Sequence, residues 1–108
     1  MKQTYDNPGP ALAEVQAMPG VALLEFGTPL CGYCRAAQAS ISQALADRLD
    51  VRHLKVEDGS GRPLGRAFRV KLWPTLIFLR GGQEVARLVR PQGVDAIRDA
   101  LAQATAPA

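Results

Sequence analysis

The stretch that decides the fold is Val21-Ala22-Leu23-Leu24-Glu25-Phe26-Gly27-Thr28-Pro29-Leu30-Cys31-Gly32-Tyr33-Cys34. Its first seven residues are mostly apolar and end in a glycine, which predicts a buried strand, and the alanine-rich segment from Cys34 to Leu49 predicts a helix. The two cysteines therefore lie where a strand passes into a helix. Unpaired N–H groups and the positive dipole end at a helix N-terminus favour the thiolate, which is the nucleophile in disulfide exchange. We expect Cys31 to be the reactive thiol and Cys34 to resolve the mixed disulfide.

The Cys31–Cys34 pair has two other interpretations. A structural zinc site normally needs four Cys or His ligands, and the chain contains two cysteines and one histidine, His53, which disfavours a metal. A purely structural disulfide would close a very short loop and restrict the unfolded chain only modestly. Redox exchange is therefore the favoured interpretation, with a redox-active disulfide between Cys31 and Cys34 and neither a metal nor another cofactor.

Length and composition bound the remaining possibilities. The 108 residues, 47% of them hydrophobic, are enough for one domain with its own core, and we expect a single domain over residues 1–108 and a monomer. The net charge of +3 comes from scattered basic residues, which disfavours nucleic acid as a partner. Residues 1–8 have no apolar core of a signal peptide, and no apolar run reaches the length of a membrane span. If Met1 is the native start, we expect a cytoplasmic protein.

The first half of the chain predicts three strands and two helices. Residues 2–5 are expected to form a short edge strand, and Asn7-Pro8 to begin a helix that ends at Pro19-Gly20. The strand at 21–26 is apolar on both faces apart from Glu25, which places it inside a sheet with helices on each side. The strand at 51–56 is expected to lie parallel to it. The predicted inner face of the cysteine helix consists of Ala37, Ile41, Ala44, Leu45 and Leu49.

The second half predicts two helices and a hairpin. Ser60 is expected to cap a short helix. Residues 76–79 and 84–89 predict two antiparallel strands joined by a turn at Gly81-Gly82. A final amphipathic helix is predicted from residue 94 to about residue 104, and the tail is expected to fray. The inward-facing side chains of that helix are expected to be Ile97 and Leu101.

This order of elements, with C-x-x-C at a strand-to-helix junction, resembles the thioredoxin family over nearly the whole chain. Glu25 lies six residues before Cys31, where the family has a buried acid, and Lys55 lies nineteen before Pro74, at the family's partner lysine. Trp73-Pro74-Thr75 matches the cis-proline loop, and Gly82 matches the hairpin glycine. The resemblance implies an α/β thioredoxin fold, in which helices flank a central mixed β-sheet on both faces.

The resemblance also implies roles for particular residues. Besides Cys31 and Cys34, the expected catalytic residues are Glu25, which would accept the proton that Cys34 loses, and Lys55, which would pair with Glu25. Because a lone buried charge is costly, we expect Glu25→Ala to raise thermal stability. The residues expected to bind substrate are Trp73, Pro74, Thr75, Gly32 and Tyr33. Each candidate also has a simpler interpretation: an edge-exposed charge for Glu25, a surface side chain for Lys55, and a trans proline at Pro74. His53 is expected to be solvated or packed.

The chain departs from the family pattern around the cysteines. Gly27 and Leu30 stand where the family has two tryptophans, and the glycine expected around Arg90 or Pro91 is missing. We expect the Trp73 indole to lie near the disulfide in place of those tryptophans. The Gly32-Tyr33 dipeptide resembles that of periplasmic disulfide isomerases, and this dipeptide influences the relative stability of thiolate and disulfide.

The expected function is that of a thiol–disulfide oxidoreductase that forms a mixed-disulfide intermediate. Its partners would be disulfide-containing proteins as substrates and a thioredoxin reductase or another thiol donor. The net direction stays open, because a disulfide isomerase or oxidase fits the same motif. A third alternative is a binding module with the thioredoxin fold, whose cysteines regulate or stabilise a protein contact.

Overall fold

The computed structural model describes residues 1–106, and four strands in them form one mixed sheet. The strands are β1 (Val21–Gly27), β2 (Arg52–Glu57), β3 (Thr75–Arg80) and β4 (Gln83–Val89), in the spatial order β2-β1-β3-β4. β1 pairs in parallel with β2 and antiparallel with β3, which also pairs antiparallel with β4. The helices are α1 (Leu12–Gln16), α2 (Gly32–Leu45), α3 (Pro63–Ala67) and α4 (Val94–Thr105).

Apolar side chains on both faces of β1 divide the core into two layers. Leu23 packs with the inner faces of α2 and α4, while Leu24 and Phe26 pack on the opposite face with α1 and α3. Because side chains alternate along a strand, Glu25 lies on the same face as Leu23, beneath α2. The sequence-predicted sheet with helices on both faces is confirmed, as are the parallel pairing of β1 with β2 and the hairpin of β3 and β4.

The N-terminal segment differs from the prediction. Residues 2–5 form no strand; a single parallel bridge joins Asp6 to Val56 at the edge of β2. The Asp6 N–H donates to Lys55 O at 2.7 Å, and Asp6 O accepts from Glu57 N at 3.1 Å. Pro8, which has no N–H to donate, follows closely. The first helix does not begin at Asn7-Pro8, whose peptide bond is cis, but at Leu12.

Two further local predictions are wrong. Ser60 does not cap α3, because Arg62 occupies the N-cap position directly before Pro63. Leu49 is not on the inner face of α2; this helix ends at Leu45, and Leu49 is 96% exposed. A turn in which the Arg48 side chain holds the Asp50 carboxylate follows the helix, and Val51 enters the core instead.

The C-terminal half agrees more closely with its pattern. Ile97 and Leu101 are buried on the inner face of α4, as predicted. The helix continues to Thr105, one residue beyond the expected end, and the last part of the tail, residues 107–108, lies outside the described residues. Within residues 1–106 no helix combines the length and the apolar character that crossing a membrane requires.

Candidate active site

Cys31 is the N-cap residue of the fourteen-residue helix α2. Its backbone is extended, and its Sγ accepts a hydrogen bond from the Cys34 backbone N–H at 3.2 Å. The sulfur thus takes the position that a serine or aspartate oxygen takes at an ordinary N-cap, where it satisfies a free N–H and lies at the positive end of the helix dipole. Cys31 is half-buried and remains open to a substrate.

The pKa of Cys31 lies below its ordinary value. Burial by itself raises this pKa, but hydrogen bonds from the Cys34 side chain, from the Cys34 and Tyr33 backbone amides, and the positive charge of Arg90 outweigh the burial. All these groups favour the thiolate over the thiol. Cys31 is therefore the more nucleophilic of the two cysteines near neutral pH.

Cys34 has the opposite environment. Cys34 is 1% exposed, and burial raises the pKa of its thiol to about 11. The neighbouring Cys31 also raises this pKa. A Cβ atom added to Gly27 would lie 2.7 Å from Cys34 Sγ and 2.9 Å from Tyr5 Oη, so both atoms occupy the space beside this glycine. A hydrogen bond from the Tyr5 hydroxyl to the sulfur lowers the pKa of Cys34 without cancelling the effect of burial.

Glu25 is fully buried and accepts two hydrogen bonds. Gln38 Nε2 donates to Oε2 at 2.9 Å, and His53 Nε2 lies 2.9 Å from Oε1. The same Gln38 nitrogen donates to the backbone oxygen of Cys34 at 2.7 Å. The Gln38 amide thus connects the buried carboxylate to the resolving cysteine.

The hydrogen bonds of His53 determine which ring nitrogen carries the proton. The Lys2 backbone N–H donates to Nδ1 at 3.0 Å, so Nδ1 is an acceptor and the proton is on Nε2. His53 is therefore a neutral imidazole that donates to Glu25. Its side chain is 4% exposed, and it is a member of the buried network in addition to being packed.

Lys55 is buried, as a partner lysine would be, but its contacts differ from the prediction. Its Nζ donates to Gln38 Oε1 at 2.8 Å and to Gln3 O at 3.3 Å, and it lies 4.6 Å from the centre of the Tyr5 ring. Within residues 1–106 the side chain at ion-pair distance from Glu25 is His53, and Lys55 reaches the carboxylate only through Gln38. The Gln38 amide thus lies between the positive charge of Lys55 and the Glu25 carboxylate.

The loop of Trp73, Pro74 and Thr75 faces Cys31. The Trp73–Pro74 bond is cis, as predicted, and Cys31 Sγ lies 3.9 Å from Trp73 O. Thr75 is buried, and its hydroxyl donates to Leu72 O at 2.6 Å, which fixes the loop from behind. The Trp73 indole donates to Asp58 Oδ2 at 2.8 Å. Its ring therefore contacts the loop after β2, and its effect on the disulfide stays a prediction.

Exposed apolar residues adjoin the active-site residues in sequence. Gly32 is exposed at the start of α2, and Tyr33 is 60% exposed. Three other exposed apolar residues directly precede residues of the site in sequence, namely Leu30, Leu72 and Val89. Hydrophobic side chains clustered on a surface are typical of a protein-binding region.

Four residues of the site were not assigned a role from the sequence: Tyr5, Gln38, His53 and Arg90. The alternation of β2 was a usable signal, because His53 lies two residues before Lys55 and so shares its face. Gln38 lies four residues after Cys34, on the same side of α2. The only sequence signal for Arg90 was the absence of the glycine that the family has around this position. Tyr5 had no signal, since no regular element carries it.

No group of three or more metal-ligating side chains of His, Cys, Asp or Glu occurs within the described part of the chain. The site holds two thiols with pKa values shifted in opposite directions.

Known proteins share this arrangement. The Thioredoxin family model matches residues 11–103. Thioredoxin 2 from Pseudomonas aeruginosa PAO1, solved in its reduced form, is 50% identical with a TM-score of 0.84, and the match covers 94% of each chain. Thioredoxin H2-1 from Oryza sativa subsp. japonica is 30% identical over 69 residues, 64% of this chain and 50% of that protein. Protein disulfide-isomerase A2 from Homo sapiens is 37% identical over 78 residues, 68% of this chain and 14% of that protein.

The mixed sheet, the capped Cys31 and the cis-proline loop define a protein of the thioredoxin fold with a dithiol site. The chain belongs to the thioredoxin family, and the predicted family and fold are confirmed. Its matches span about half the length, or less, of these curated relatives.

Proposed function

We propose that the protein is a thiol–disulfide oxidoreductase that reduces disulfides of protein substrates through Cys31 and Cys34. The observation that carries this proposal is the asymmetry of the two thiols. Cys31 is accessible and its thiolate accepts hydrogen bonds at a helix N-terminus, whereas Cys34 is buried behind it as a neutral thiol. Such a pair separates the attack on a substrate from the release of the product.

The first step is the attack of the Cys31 thiolate on one sulfur of a substrate disulfide. A bond forms between Cys31 Sγ and that sulfur, the substrate S–S bond breaks, and its electron pair leaves with the second substrate sulfur, which takes up a proton from solvent. The proposed substrate-binding elements are the backbone at Trp73, the residues Pro74 and Thr75 that follow it, and the exposed Gly32 and Tyr33.

The second step is the attack of Cys34 on Cys31. Cys34 loses its proton, its Sγ bonds to Cys31 Sγ, and the remaining substrate sulfur leaves as a thiolate. The enzyme is oxidised to the Cys31–Cys34 disulfide, and the substrate has gained two electrons. A thiol donor must then return two electrons to the enzyme; we propose a thioredoxin reductase for that role.

Two groups are proposed to assist the second step. The Tyr5 hydroxyl donates to Cys34 Sγ, a contact that strengthens as the sulfur becomes negative. Glu25, which Gln38 links to the backbone oxygen of Cys34, is the buried carboxylate of this network and the proposed acceptor of the Cys34 proton. A cavity of about 420 Å³, lined by Tyr5, Gln38 and Lys55 among others, leads from the surface to this network.

We also propose a cytoplasmic location and a monomer. The two cysteines of the sequence are both in the site, so the chain has no further pair for a structural disulfide of the kind that is common in exported proteins. In a reducing compartment the dithiol would be kept available by its donor. The exposed apolar residues next to the active-site residues are then assigned to transient substrate contacts instead of a subunit interface.

Insulin reduction tests the proposed function. Reduced protein with dithiothreitol should accelerate insulin precipitation, and NADPH with a thioredoxin reductase should replace dithiothreitol. Cys31→Ser is the control and should not exceed the uncatalysed rate. A binding module would accelerate neither reaction, and that outcome would contradict the proposal.

A disulfide isomerase is the second candidate, favoured by the Gly32-Tyr33 dipeptide and by the similarity to protein disulfide-isomerase A2. The reduction potential of the Cys31–Cys34 pair against a glutathione series separates the two. A value near that of general reductants, about −270 mV, supports reduction, while a value near −180 mV supports isomerisation.

A further inference from the structure

Arg90 stands at a backbone position that favours glycine. Its φ is 51°, in the left-handed region, and its N–H donates to Pro74 O at 3.0 Å. A side chain at such a position is unfavourable unless its own contacts offset the cost. The Arg90 side chain makes such contacts at the active site.

The guanidinium of Arg90 lies beside the nucleophilic sulfur. Its Nε donates to Trp73 O at 2.9 Å, the same oxygen that Cys31 Sγ approaches to 3.9 Å. Its Cζ lies 3.9 Å from the centre of the Tyr33 ring, so the planar group stacks on the aromatic side chain. These two contacts fix the plane of the guanidinium and leave its terminal NH groups for another partner.

Those terminal groups have no acidic partner among residues 1–106. Salt bridges to acidic side chains are formed by Arg48, Arg62, Arg87 and Arg98, while Arg90, like the other arginines among residues 1–106, forms none. Arg90 also borders a groove of about 480 Å³ that contains Tyr33, Ser40 and Gln92 and no acidic side chain. A positively charged, oriented donor therefore faces an uncharged groove next to the site of attack.

We propose that Arg90 and this groove form a specificity pocket for an acidic side chain beside the attacked cysteine of a protein substrate. The inference rests on the proposed function. A substrate segment that lies along the Trp73 backbone passes Arg90 as it brings its disulfide to Cys31. A glutamate or aspartate one or two residues from that disulfide can accept two parallel hydrogen bonds from the terminal NH groups, which is the geometry that distinguishes arginine from lysine.

The test uses three peptides that are identical except for one residue next to the disulfide cysteine, which is glutamate, glutamine or lysine. Second-order rate constants for the first attack by the reduced protein are divided by those for dithiothreitol, which removes the effect of the flanking charge on the intrinsic reactivity of each peptide. The wild type should favour glutamate over glutamine by about fivefold, the size of a partly exposed ion pair, and disfavour lysine. The preference should shrink at high salt.

Arg90 variants separate substrate recognition from an effect on Cys31. Arg90→Gln, and Arg90→Gly, which suits the left-handed backbone, should bring the glutamate-to-glutamine ratio to about one, and Arg90→Lys should keep part of it. Arg98→Gln, at an exposed arginine of α4, should keep the wild-type ratio. An equal wild-type rate for the three peptides would overturn the inference. So would an Arg90→Gln protein that is slower on all three with an unchanged ratio. If no peptide reacts faster than with dithiothreitol, the proposed function itself fails.

Discussion

The surroundings of Cys31 and Cys34 differ although the two residues are one helical turn apart. Cys31 Sγ lies at the rim of the site, close to the Trp73 carbonyl and the positive charge of Arg90. Cys34 Sγ lies behind Cys31, next to Gly27 and the Tyr5 hydroxyl. Cys31 is partly exposed and accepts hydrogen bonds from backbone N–H groups near one cation, whereas Cys34 is buried.

This difference shows how one residue type performs two tasks. The groups around Cys31 stabilise a negative charge before any substrate arrives, so this thiol is ready to attack. The burial of Cys34 keeps its proton in place and prevents a premature attack on other disulfides. Deprotonation of Cys34 becomes productive only when a mixed disulfide at Cys31 offers a reaction partner within reach.

The largest effect should come from exchanging either sulfur for oxygen. Cys31→Ser should abolish insulin reduction, because no thiolate remains at the rim. Cys34→Ser should still attack but should accumulate mixed disulfides, which non-reducing gels and intact mass spectrometry detect. Trapped adducts in Cys31→Ser and none in Cys34→Ser would invert the assigned roles.

A smaller, step-specific effect is expected from the buried base. Glu25→Gln should slow the resolution of a preformed mixed disulfide by about a hundredfold at pH 7, the usual contribution of a general base, and leave the first attack nearly unchanged. Stopped-flow measurement of both steps provides the comparison. Equal slowing of both steps would assign Glu25 a structural role only.

Glu25 also bears on stability, and here the structure changes the expectation from the sequence. The carboxylate is not a lone charge, since it accepts from Gln38 and from His53. Glu25→Ala would leave His53 Nε2 without its acceptor and remove one of the two acceptors of Gln38 Nε2, at a cost of about 1–3 kcal/mol for an unpaired buried group. We therefore expect the free energy of unfolding in urea to fall instead of rise; an increase would show that burying the charge outweighs its hydrogen bonds.

The central residues of the site could be predicted from the sequence. The strand, the glycine and the helix that place Cys31, Cys34 and Glu25 are local patterns, so the core of the site was predictable. The cis bond at Pro74 followed from a short motif in the resemblance. The predicted burial of Leu49 was wrong. The helical periodicity of the sequence continues past Leu45, but the helix ends there and the chain turns.

The parts that were missed depend on tertiary contacts. His53 pairs with Glu25 because β2 lies beside β1 in one register, and Lys2 reaches His53 across 51 residues of sequence. Tyr5 reaches Cys34 because one backbone bridge at Asp6 holds the N-terminal segment against β2. Neither a propensity nor a periodicity encodes such contacts.

Tyr5→Phe should have an intermediate effect on the buried thiol alone. The substitution keeps the ring and removes the hydroxyl that donates to Cys34 Sγ, so resolution of a mixed disulfide should slow by about five- to tenfold, as for the loss of one hydrogen bond. The first attack by Cys31 in the same protein is the internal control. An unchanged resolution rate would remove Tyr5 from the mechanism.

The smallest effect is expected from the indole of Trp73. Its emission should change modestly when the dithiol is oxidised, because its backbone oxygen contacts Cys31 while its ring is held by Asp58. Trp73→Ala should weaken substrate binding more than it lowers the unfolding free energy. Identical emission in both redox states would mean that the redox state of the cysteines does not affect the environment of the Trp73 indole.

The pH dependence of alkylation tests the division between the two thiols most directly. Iodoacetamide reacts with the thiolate, so the rate for each cysteine, followed by peptide mass spectrometry of the reduced protein, rises with pH until its thiol is deprotonated. Because the pKa of Cys31 is lowered, its rate should level off below the ordinary thiol value of about 8.5. Because the pKa of Cys34 is raised to about 11, Cys34 should stay almost unlabelled at pH 7 and gain reactivity only in strongly alkaline solution. Labelling of Cys34 before Cys31, or a common rise of both near 8.5, would contradict the account.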